Sequence, residues 1–273
     1  MMKSLLKLAT VVSIAGAIAI SPIANLKAYA LTEAQALERL SGIPIFTITD
    51  DKGAPLLGSL PQQAGRKPED PDQLMLFFLS PDDAQAMLNQ LKTSNPNVGG
   101  KAKISTGSMF QAIKLAEQNK GKKVAFQFVP SKTSIDSARN LLSAQGKPAD
   151  QVPNVPVFYA TGAQGNGQGL LTLEQNGKQV VPFFFDQKDL QGLIDRARQQ
   201  QPDVAKDTKI QVTSLFQVLD SMVTKDNKPN PEADRFEFVP SRTAFEYVLK
   251  SQPATTQPGV TPQPKPKAML KAN

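Results

Sequence analysis

The chain carries the same sequence pattern twice, in the same order and roughly 110 residues apart. Three pairs of segments match: residues 43–46 with 155–158, residues 103–111 with 209–217, and residues 125–132 with 235–242. Their offsets of 112, 106 and 110 residues differ only as small loop insertions and deletions would make them differ. A repeat of this size predicts one domain-sized unit duplicated in tandem, and two such halves often pack about a pseudo-two-fold axis. We therefore expect the function to lie on the surface that the halves share.

The alternation of apolar and turn residues predicts an α+β fold with five segments along the chain. They are a signal peptide at residues 1–30, an N-terminal helix at 31–42, repeat one at 43–147, repeat two at 152–250, and a disordered tail rich in Pro, Gln and Lys at 251–273. Each repeat contains about five predicted strands and three predicted helices. We expect a mainly antiparallel or mixed sheet in each half, and two packed halves rather than independently moving domains.

Within repeat one, the apolar run at residues 74–79 predicts a central strand that is buried on both faces. The next residues, from Ser80 to Asp83, combine a cap residue, a proline and two acids, which is typical of a helix start. Further along, a short strand at residues 101–104 is expected to precede a helix that begins near Thr106.

The N-terminus has the features of a secretory signal peptide. Lys3 and Lys7 precede an apolar run at residues 8–20, and residues 28–30 have the small-x-small form that signal peptidase cleaves. This run of thirteen residues is shorter than the roughly 20 that a spanning helix needs. We therefore expect export, cleavage after Ala30, and no stable insertion into a membrane.

The high isoelectric point does not indicate a nucleic-acid-binding protein. The pI is about 9.5, but three lysines lie in the predicted signal peptide and three lie in the tail. Residues 31–250 hold 25 basic and 24 acidic side chains, so the folded part is nearly neutral. A neutral body lacks the basic surface that attracts a polyphosphate, so nucleic acid is not an expected partner.

The chain contains no Cys, no His and no Trp. This composition excludes Ser-His and Cys-His nucleophiles, ordinary zinc sites, haem ligation and iron–sulfur ligation. The routes to catalysis that remain are paired carboxylates, a Ser-Lys dyad and an oxygen-ligand metal site. We therefore expect a binding protein without catalytic residues, cofactor or metal.

Three sequence features resemble catalytic or ligand-binding motifs, and each fits a structural role better. The glycine-rich stretch at residues 162–169 precedes a predicted strand, whereas a phosphate-binding loop precedes a helix, so we interpret it as a hairpin loop. Asp82 and Asp83 stand where a helix start favours acids. Ser131 and Ser241 are followed by Lys and Arg, and both serines are expected to cap helices.

The aromatic residues are the more informative set, with fourteen Phe against three Tyr. Most of these rings must belong to the core, yet strands with Phe on both faces leave apolar surface that a groove for extended polypeptide would use. The repeat places six of them at equivalent positions. The candidate polypeptide-binding residues are Phe110, Phe216, Phe126, Phe128, Phe236 and Phe238.

Several of these segments together resemble one known family, the Tic-twenty-two proteins of plastids and cyanobacteria. The resemblance covers residues 33–250. It is carried by the Pro-x-Phe strands at residues 43–46 and 155–158, the apolar strand and acidic helix start at 77–84, residues 209–215, and the Phe-x-Phe-Val-Pro step. Each segment is weak alone, but their order and spacing are specific.

The resemblance implies a chaperone-like component of preprotein movement between two membranes, with a two-winged fold and apolar pockets. Its partners would be unfolded outer-membrane precursors and an outer-membrane assembly pore. The bacterial-type signal peptide points to the cyanobacterial branch, and hence to the periplasm or the thylakoid lumen. The family has no catalytic motif to carry over to this sequence.

These observations lead to one leading hypothesis and two alternatives. The leading hypothesis is a periplasmic chaperone-like factor in protein translocation and outer-membrane protein biogenesis, which binds unfolded precursors without catalysis. The first alternative is a scaffold that binds one folded envelope partner and no unfolded proteins. The second is an enzyme that uses carboxylates such as Asp82 and Asp83 on envelope glycans or peptides.

Overall fold

The computed structural model describes residues 18–19, 31–60, 67, 69–164, 167–175, 177–200, 207–223 and 232–251. The predicted tail lies outside these residues except for Ser251, and so does most of the predicted signal peptide. We refer to residues 43–147 as the first half and to residues 152–250 as the second half.

The elements alternate between strands and helices in both halves. The strands are β1 (Ile18–Ala19), β2 (Pro44–Thr49), β3 (Gly58–Ser59), β4 (Gln73–Phe78), β5 (Lys103–Ser108), β6 (Val124–Val129), β7 (Pro156–Gln164), β8 (Gly167–Leu170), β9 (Thr172–Gln175), β10 (Lys178–Phe184), β11 (Lys209–Ser214) and β12 (Phe236–Val239). The α-helices are α1 (Glu33–Glu38), α2 (Pro81–Ser94), α3 (Pro96–Gly99), α4 (Met109–Gln118), α5 (Lys132–Ala144), α6 (Gln187–Gln200), α7 (Leu215–Met222) and α8 (Arg242–Ser251). Two 3-10 helices lie at Ala149–Gln151 and Ala233–Arg235.

The strands form a five-stranded sheet and a seven-stranded sheet, both mixed. In the first sheet the neighbours run β6-β4-β2-β5, and β3 pairs with the first residues of β4. In the second sheet they run β12-β10-β7-β11, and β9 pairs with the first residues of β10. Both central strands, β4 and β10, have a parallel neighbour and an antiparallel neighbour. The sheets and helices therefore confirm the predicted α+β class.

The two sheets also share their pairing register. Pro44 lies opposite Ser108 in the first sheet, and Pro156 lies opposite Ser214 in the second. Residues 77 and 128 form a pair in the first sheet, and residues 183 and 238 form the corresponding pair in the second, with Phe at all four positions. Positions that differ by the repeat offset therefore occupy corresponding places in the two sheets, and we call such positions equivalent.

The predicted boundary between β5 and α4 is wrong. The strand continues to Ser108 rather than ending at residue 104, because it pairs with β2 along all six of its residues. The helix begins at Met109, three residues after the expected start. Ser108 caps it, since its Oγ accepts the Gln111 N–H at 3.2 Å and Gln111 Oε1 accepts the Ser108 N–H at 3.3 Å.

One face of each sheet contributes to a shared apolar cluster between the halves. This cluster contains Phe77 and Met109 from the first half and Phe183 and Leu215 from the second. Alternate residues along the same strands point to the opposite faces, where separate clusters form under helices. The shared cluster packs the two halves against each other, as expected for two repeats that are separated by only four residues.

The last helix of each half covers the sheet of the other half. Ala138 of α5 is buried in one cluster with Phe158 of the second sheet. Reciprocally, Ala244 of α8 is buried in one cluster with Phe46 of the first sheet. The Phe46 and Tyr247 rings meet edge to face with 5.1 Å between their centroids. This exchange, which the order of elements along the chain does not reveal, interlocks the halves.

Two N-terminal segments also pack against the second half. The short helix α1 contacts α7, and Leu31 forms an isolated parallel bridge with Val223. Ile18 and Ala19 pair antiparallel with Leu173 and Thr172 of β9. These two residues belong to the predicted signal peptide, so cleavage after Ala30 would remove this pairing and leave α1 in place.

Candidate functional site

The structure places five of the six predicted phenylalanines in or against the shared cluster, at very different depths, and leaves Phe216 outside it. Phe236 and Phe238 on β12 are only 5% and 8% exposed and belong to the core. Phe126 and Phe128, at the equivalent positions of β6, are partly exposed and pack against the same cluster. Phe216 is the most accessible of the six, with 44% of its surface exposed.

Capping geometry positions Phe110 and Phe216 at equivalent places on their helices. Ser108 caps α4, and the Ser214 N–H donates to Gln217 Oε1 at the start of α7. Each Phe is consequently the second residue of its helix. Phe110 packs partly against the shared cluster, with the Lys114 ammonium 6.0 Å from its ring centroid.

The rings form two aromatic groups, one on each sheet. In the first half, Phe77 lies 6.2 Å from Phe126 and 5.5 Å from Phe128, measured between ring centroids. In the second half, Phe183 lies 5.1 Å from Phe236 and 6.0 Å from Phe238. Phe216 connects the halves, because its ring lies 6.4 Å from that of Phe128.

Burial at equivalent positions separates the two groups. On α7, Leu219 and Met222 are buried at 6% and 0% exposure. Their equivalents on α4, Ile113 and Ala116, are partly exposed. Together with the phenylalanine pairs, four positions that are buried in the second half are therefore accessible in the first.

Helix α1 packs on the second half beside these positions, since it contacts α7 and is followed by Arg39, which contacts Asp234 and Glu237. Its side chains Ala36 and Leu37, with Leu40 just beyond its end, are buried in the shared cluster with Leu219, Met222 and Phe236. We call the surface formed by Leu219, Met222, Phe236 and Phe238 the covered face. We call the equivalent surface, formed by Ile113, Ala116, Phe126 and Phe128, the open face.

Polar contacts hold both ends of α1 in place on the second half. The Leu31 N–H donates to the Met222 carbonyl oxygen at 3.3 Å. At the other end, Arg39 Nη2 donates to the Asp234 carbonyl oxygen at 3.0 Å, and Arg39 Nη1 lies 3.7 Å from Glu237 Oε1. Thr32 and Gln35 form a capping box, so the helix satisfies its own first turn.

The charges around the two faces have opposite signs. Next to the open face, α4 and the turn into β6 carry Lys114, Lys120, Lys122, Lys123 and a single acid, Glu117. Lys114 Nζ lies 2.8 Å from Glu117 Oε2, which leaves the local balance positive. Next to the covered face, the described charged residues are Asp220, Glu232, Asp234, Arg235 and Glu237. This arrangement suits the Arg39 contact on the covered face and an acidic ligand on the open face.

The candidates for chemistry instead hold helix starts. Asp83 Oδ2 accepts the Lys132 N–H at 3.2 Å, and Asp189 Oδ2 accepts the Arg242 N–H at 2.8 Å, so the same contact occurs in both halves. Burial raises the pKa of Asp189 above its ordinary value, against the opposing effect of the Arg242 N–H. Ser131 Oγ accepts the Ser134 N–H at 3.0 Å, which confirms the predicted cap.

The described residues contain neither a metal-binding group of carboxylates nor a membrane-spanning helix. Among them, no group of three or more carboxylates lies close enough together to hold a metal ion. No helix in the described ranges is long and apolar enough to cross a membrane. The glycine-rich stretch forms the predicted hairpin, since β7 and β8 pair from Thr161 with Leu170 to Gln164 with Gly167.

Sequence reasoning identified the phenylalanine pairs but missed the residues that complete the open face. Ile113 and Ala116 are not among the candidate residues predicted from the sequence. A position-by-position comparison of the repeats contains the signal, because Ala116 is aligned with the much larger Met222. The helix at residues 31–42 has no counterpart ahead of the second half, where the four residues between the repeats leave no room for one.

Comparison with known proteins agrees with this architecture. The Tic22-like family profile matches residues 7–246. Tic22 from Anabaena, a protein described as acting in protein transport, has a TM-score of 0.67 and 24% identity, with 86% of this chain and 100% of that chain covered. Tic22 from Plasmodium falciparum has a TM-score of 0.58 and 27% identity, with 78% and 96% covered. A search of curated proteins returned no match. Because the profile spans both halves, the chain belongs to the Tic22-like family.

Proposed function

We propose that this protein is a chaperone-like factor of protein transport that binds unfolded precursor polypeptides on its open face, without catalysis. The observation that carries the proposal is the exposure of Ile113, Phe126, Phe128 and Phe216, since the equivalent positions of the first three are buried in the second half. Partly exposed aromatic and aliphatic side chains at adjoining positions mark binding surfaces. Family membership and the protein-transport description of the Anabaena relative support the same direction.

Weak, fast binding is the mechanism that such a surface favours. Fully burying one Phe or Leu side chain is worth about 1.5–3 kcal/mol, and the open face offers only partly exposed side chains. The loss of translational freedom and the ordering of the polypeptide offset much of this gain. A complex of this kind dissociates rapidly, so release requires no nucleotide.

We also propose export to the periplasm or thylakoid lumen, with cleavage after Ala30, and service to outer-membrane precursors on their way to an assembly pore. The leader pattern at residues 1–30 supports export, and the resemblance to the family supports these partners. The two halves are proposed to derive from a tandem duplication and to pack about a pseudo-two-fold axis. The shared strand order and register of the sheets support that origin.

A scaffold for one folded envelope partner is the second candidate function. Its specific support is a pair of apolar side chains on α8, Phe245 and Leu249, which are 38% and 52% exposed. They lie one helical turn apart, on the helix that covers the other face of the first sheet. A folded partner could bind there without contact with the open face.

The test is suppression of aggregation without ATP. Mature protein beginning at Leu31 is added to an outer-membrane β-barrel precursor diluted from urea. We expect stoichiometric protection that is weakened several-fold by the double substitution Phe110→Ser/Phe216→Ser. Both rings border the open face, because Phe110 lies one turn before Ile113 on α4 and the Phe216 ring lies 6.4 Å from that of Phe128. The matched control is Phe245→Ser/Leu249→Ser, which should protect as the parent protein does.

Three outcomes would contradict the proposal. No protection by the parent protein would favour the scaffold. Full protection by a folded Phe110→Ser/Phe216→Ser variant would remove these two rings from the site. Loss of protection in the α8 variant alone would transfer the binding surface to α8.

A further inference from the structure

We propose that the open face binds a short, acidic amphipathic helix of its partner polypeptide, in the place that corresponds to α1 on the covered face. The proposal deepens the proposed function and rests on it, because the helix is a segment of the transported precursor. It goes beyond a general affinity for apolar sequences. It specifies the conformation, the side-chain size and the charge of the segment that is bound.

The covered face shows what kind of segment fits such a site. Ala36 and Leu37 of α1, and Leu40 just beyond its end, are buried in the shared cluster. Leu37 and Leu40 follow Ala36 by one and four residues, which places the three side chains along one side of a helical turn. The guest at the equivalent site is therefore expected to present the same helical spacing.

The covered face favours a helix over an extended strand as the guest of the open face. Among the described residues β6 pairs only with β4 and β12 only with β10, so each of the two faces is bordered by a strand edge. On the second half the segment that packs beside that edge is nevertheless the helix α1. An extended guest that crosses the side chains of α4 and β6, rather than pairing along the edge, would leave its own backbone groups without partners, which is costly. A helix brings its hydrogen bonds with it, as α1 does through its capping box.

Side-chain size distinguishes the two sites. The first half has Ala112 and Ala116 where the second half has Val218 and Met222. The α4 side of the open face therefore has smaller apolar side chains than the α7 side of the covered face. A guest helix with a large residue in place of Ala36 would fill the additional space, whereas α1 itself would underfill it.

The charges around the open face determine which net charge the bound helix should carry. Lys114, Lys120, Lys122 and Lys123 border the open face, and Gln127 replaces Glu237, the carboxylate that contacts Arg39 on the covered face. A guest with carboxylates at its exposed end is thus complementary, and a basic guest is not. The tail of this chain, with Lys265, Lys267 and Lys271, is excluded as the occupant on the same ground.

The probe is a twelve-residue peptide with the sequence of residues 31–42, changed at Ala36→Leu and Arg39→Glu. Its affinity for mature protein is measured by fluorescence anisotropy at low and moderate salt. We expect binding at least fivefold tighter than that of the unmodified peptide, with a decrease in affinity as salt rises. Circular dichroism should show a gain of helix upon binding. A peptide of the same composition with alternating apolar residues is the conformational control.

Variants on the protein locate the site. Ala116→Met gives the open face the residue found on the covered face, and we expect it to reduce peptide affinity about tenfold. Leu115→Met, on the exposed neighbour, is the matched control. Lys122→Glu/Lys123→Glu changes only exposed side chains and should reduce affinity several-fold, so the test stands even if Ala116→Met fails to fold.

Because the chain has no cysteine, a single substitution places a fluorophore at one chosen point. A label at Lys123→Cys should respond to the peptide, and a label at Asp234→Cys, beside α1, should not. A response only at Asp234 would mean that the peptide displaces α1, and it would overturn the proposal. Tighter binding of the alternating peptide, or unchanged affinity in both protein variants, would also overturn it.

The remaining outcomes separate this inference from the proposed function. Concentration-dependent dimerisation that Leu37→Asp abolishes would identify α1 of a second copy as the occupant and would overturn the proposal. Protection of the precursor by an Ala116→Met variant that no longer binds the peptide would leave the chaperone role intact and remove the helix. Peptide binding without protection would support the helix site and contradict the chaperone role.

Discussion

The covered face and the open face are built from equivalent residues on equivalent strands, yet one is core and the other is surface. Phe236 is 5% exposed under α1, whereas Phe126 at the equivalent position is partly exposed. The sheets share their order and register at these strands, so the β-structure does not produce the difference. We attribute it to α1, a helix that lies outside both repeats and contacts α7 of the second half.

This comparison shows how two equivalent apolar faces differ in exposure. Two identical apolar faces would both need cover, because large exposed apolar patches promote association. Here one face receives α1, and the other loses apolar volume through Ala112 and Ala116. The apolar surface that remains exposed on the open face is the one that we propose for polypeptide binding.

The largest expected effect contrasts the two equivalent rings. Phe236→Ala should lower the free energy of unfolding by about 3–5 kcal/mol, because it removes a buried ring and leaves a cavity. Phe126→Ala should cost less than half as much, since solvent already reaches its ring. Urea denaturation with coincident fluorescence and circular dichroism measures both. Equal losses would show that the open face is as well packed as the covered face.

Removing the anchor of α1 tests the cause of the difference. Leu40→Ala, at 0% exposure, should cost about 2–4 kcal/mol and should increase binding of a hydrophobic dye as the covered face becomes accessible. The control is Leu115→Ala, where 36% of the side chain is exposed and the change should stay within about 0.5 kcal/mol. Loss of stability without added dye binding would mean that α1 is not what covers the second half.

A smaller effect is expected where the exchanged helices differ. The buried Ser134 hydroxyl of α5 donates to the Phe185 carbonyl oxygen at 2.6 Å, whereas the equivalent residue of α8, Ala244, has no hydroxyl. Ser134→Ala should lower the free energy of unfolding by about 1–3 kcal/mol, because the carbonyl loses its partner. Ser143→Ala, exposed near the end of the same helix, should have no measurable effect. A neutral result at Ser134 would show that the two helices are docked equally well.

The smallest effect concerns the two carboxylates that hold helix starts. Burial raises the pKa of Asp189 above its ordinary value of 3.8, so the native state binds a proton more readily than the unfolded state. The free energy of unfolding should therefore fall as pH rises from the ordinary pKa of the unfolded state through the raised pKa of the folded state. Asp189→Asn should flatten that slope while its amide oxygen still accepts the Arg242 N–H. Asp83→Asn is the matched comparison, and an unchanged slope in the Asp189 variant would assign it to other groups.

Much of the framework could be predicted from local sequence patterns. The apolar run at 74–79 marked a central strand, Ser80 and Ser131 marked helix starts, and the order of the repeated segments anticipated the common strand order. These features depend on residues within a few positions of one another, so periodicity and capping chemistry reveal them. The end of β5 was missed because pairing with β2, some sixty residues earlier, extended the strand beyond its local signal.

In the candidate site, too, some features follow from neighbouring residues and others from residues that are distant along the chain. The sequence by itself determined that α5 and α8 each bury one face, that six phenylalanines occupy equivalent positions, and that the chain has neither His nor Cys. Only the tertiary structure decided that the last helix of each half crosses to the other sheet and that α1 packs on α7 of the second half. An amphipathic pattern specifies that a face is buried but not which surface buries it, because that choice depends on the fit between side chains distant along the chain.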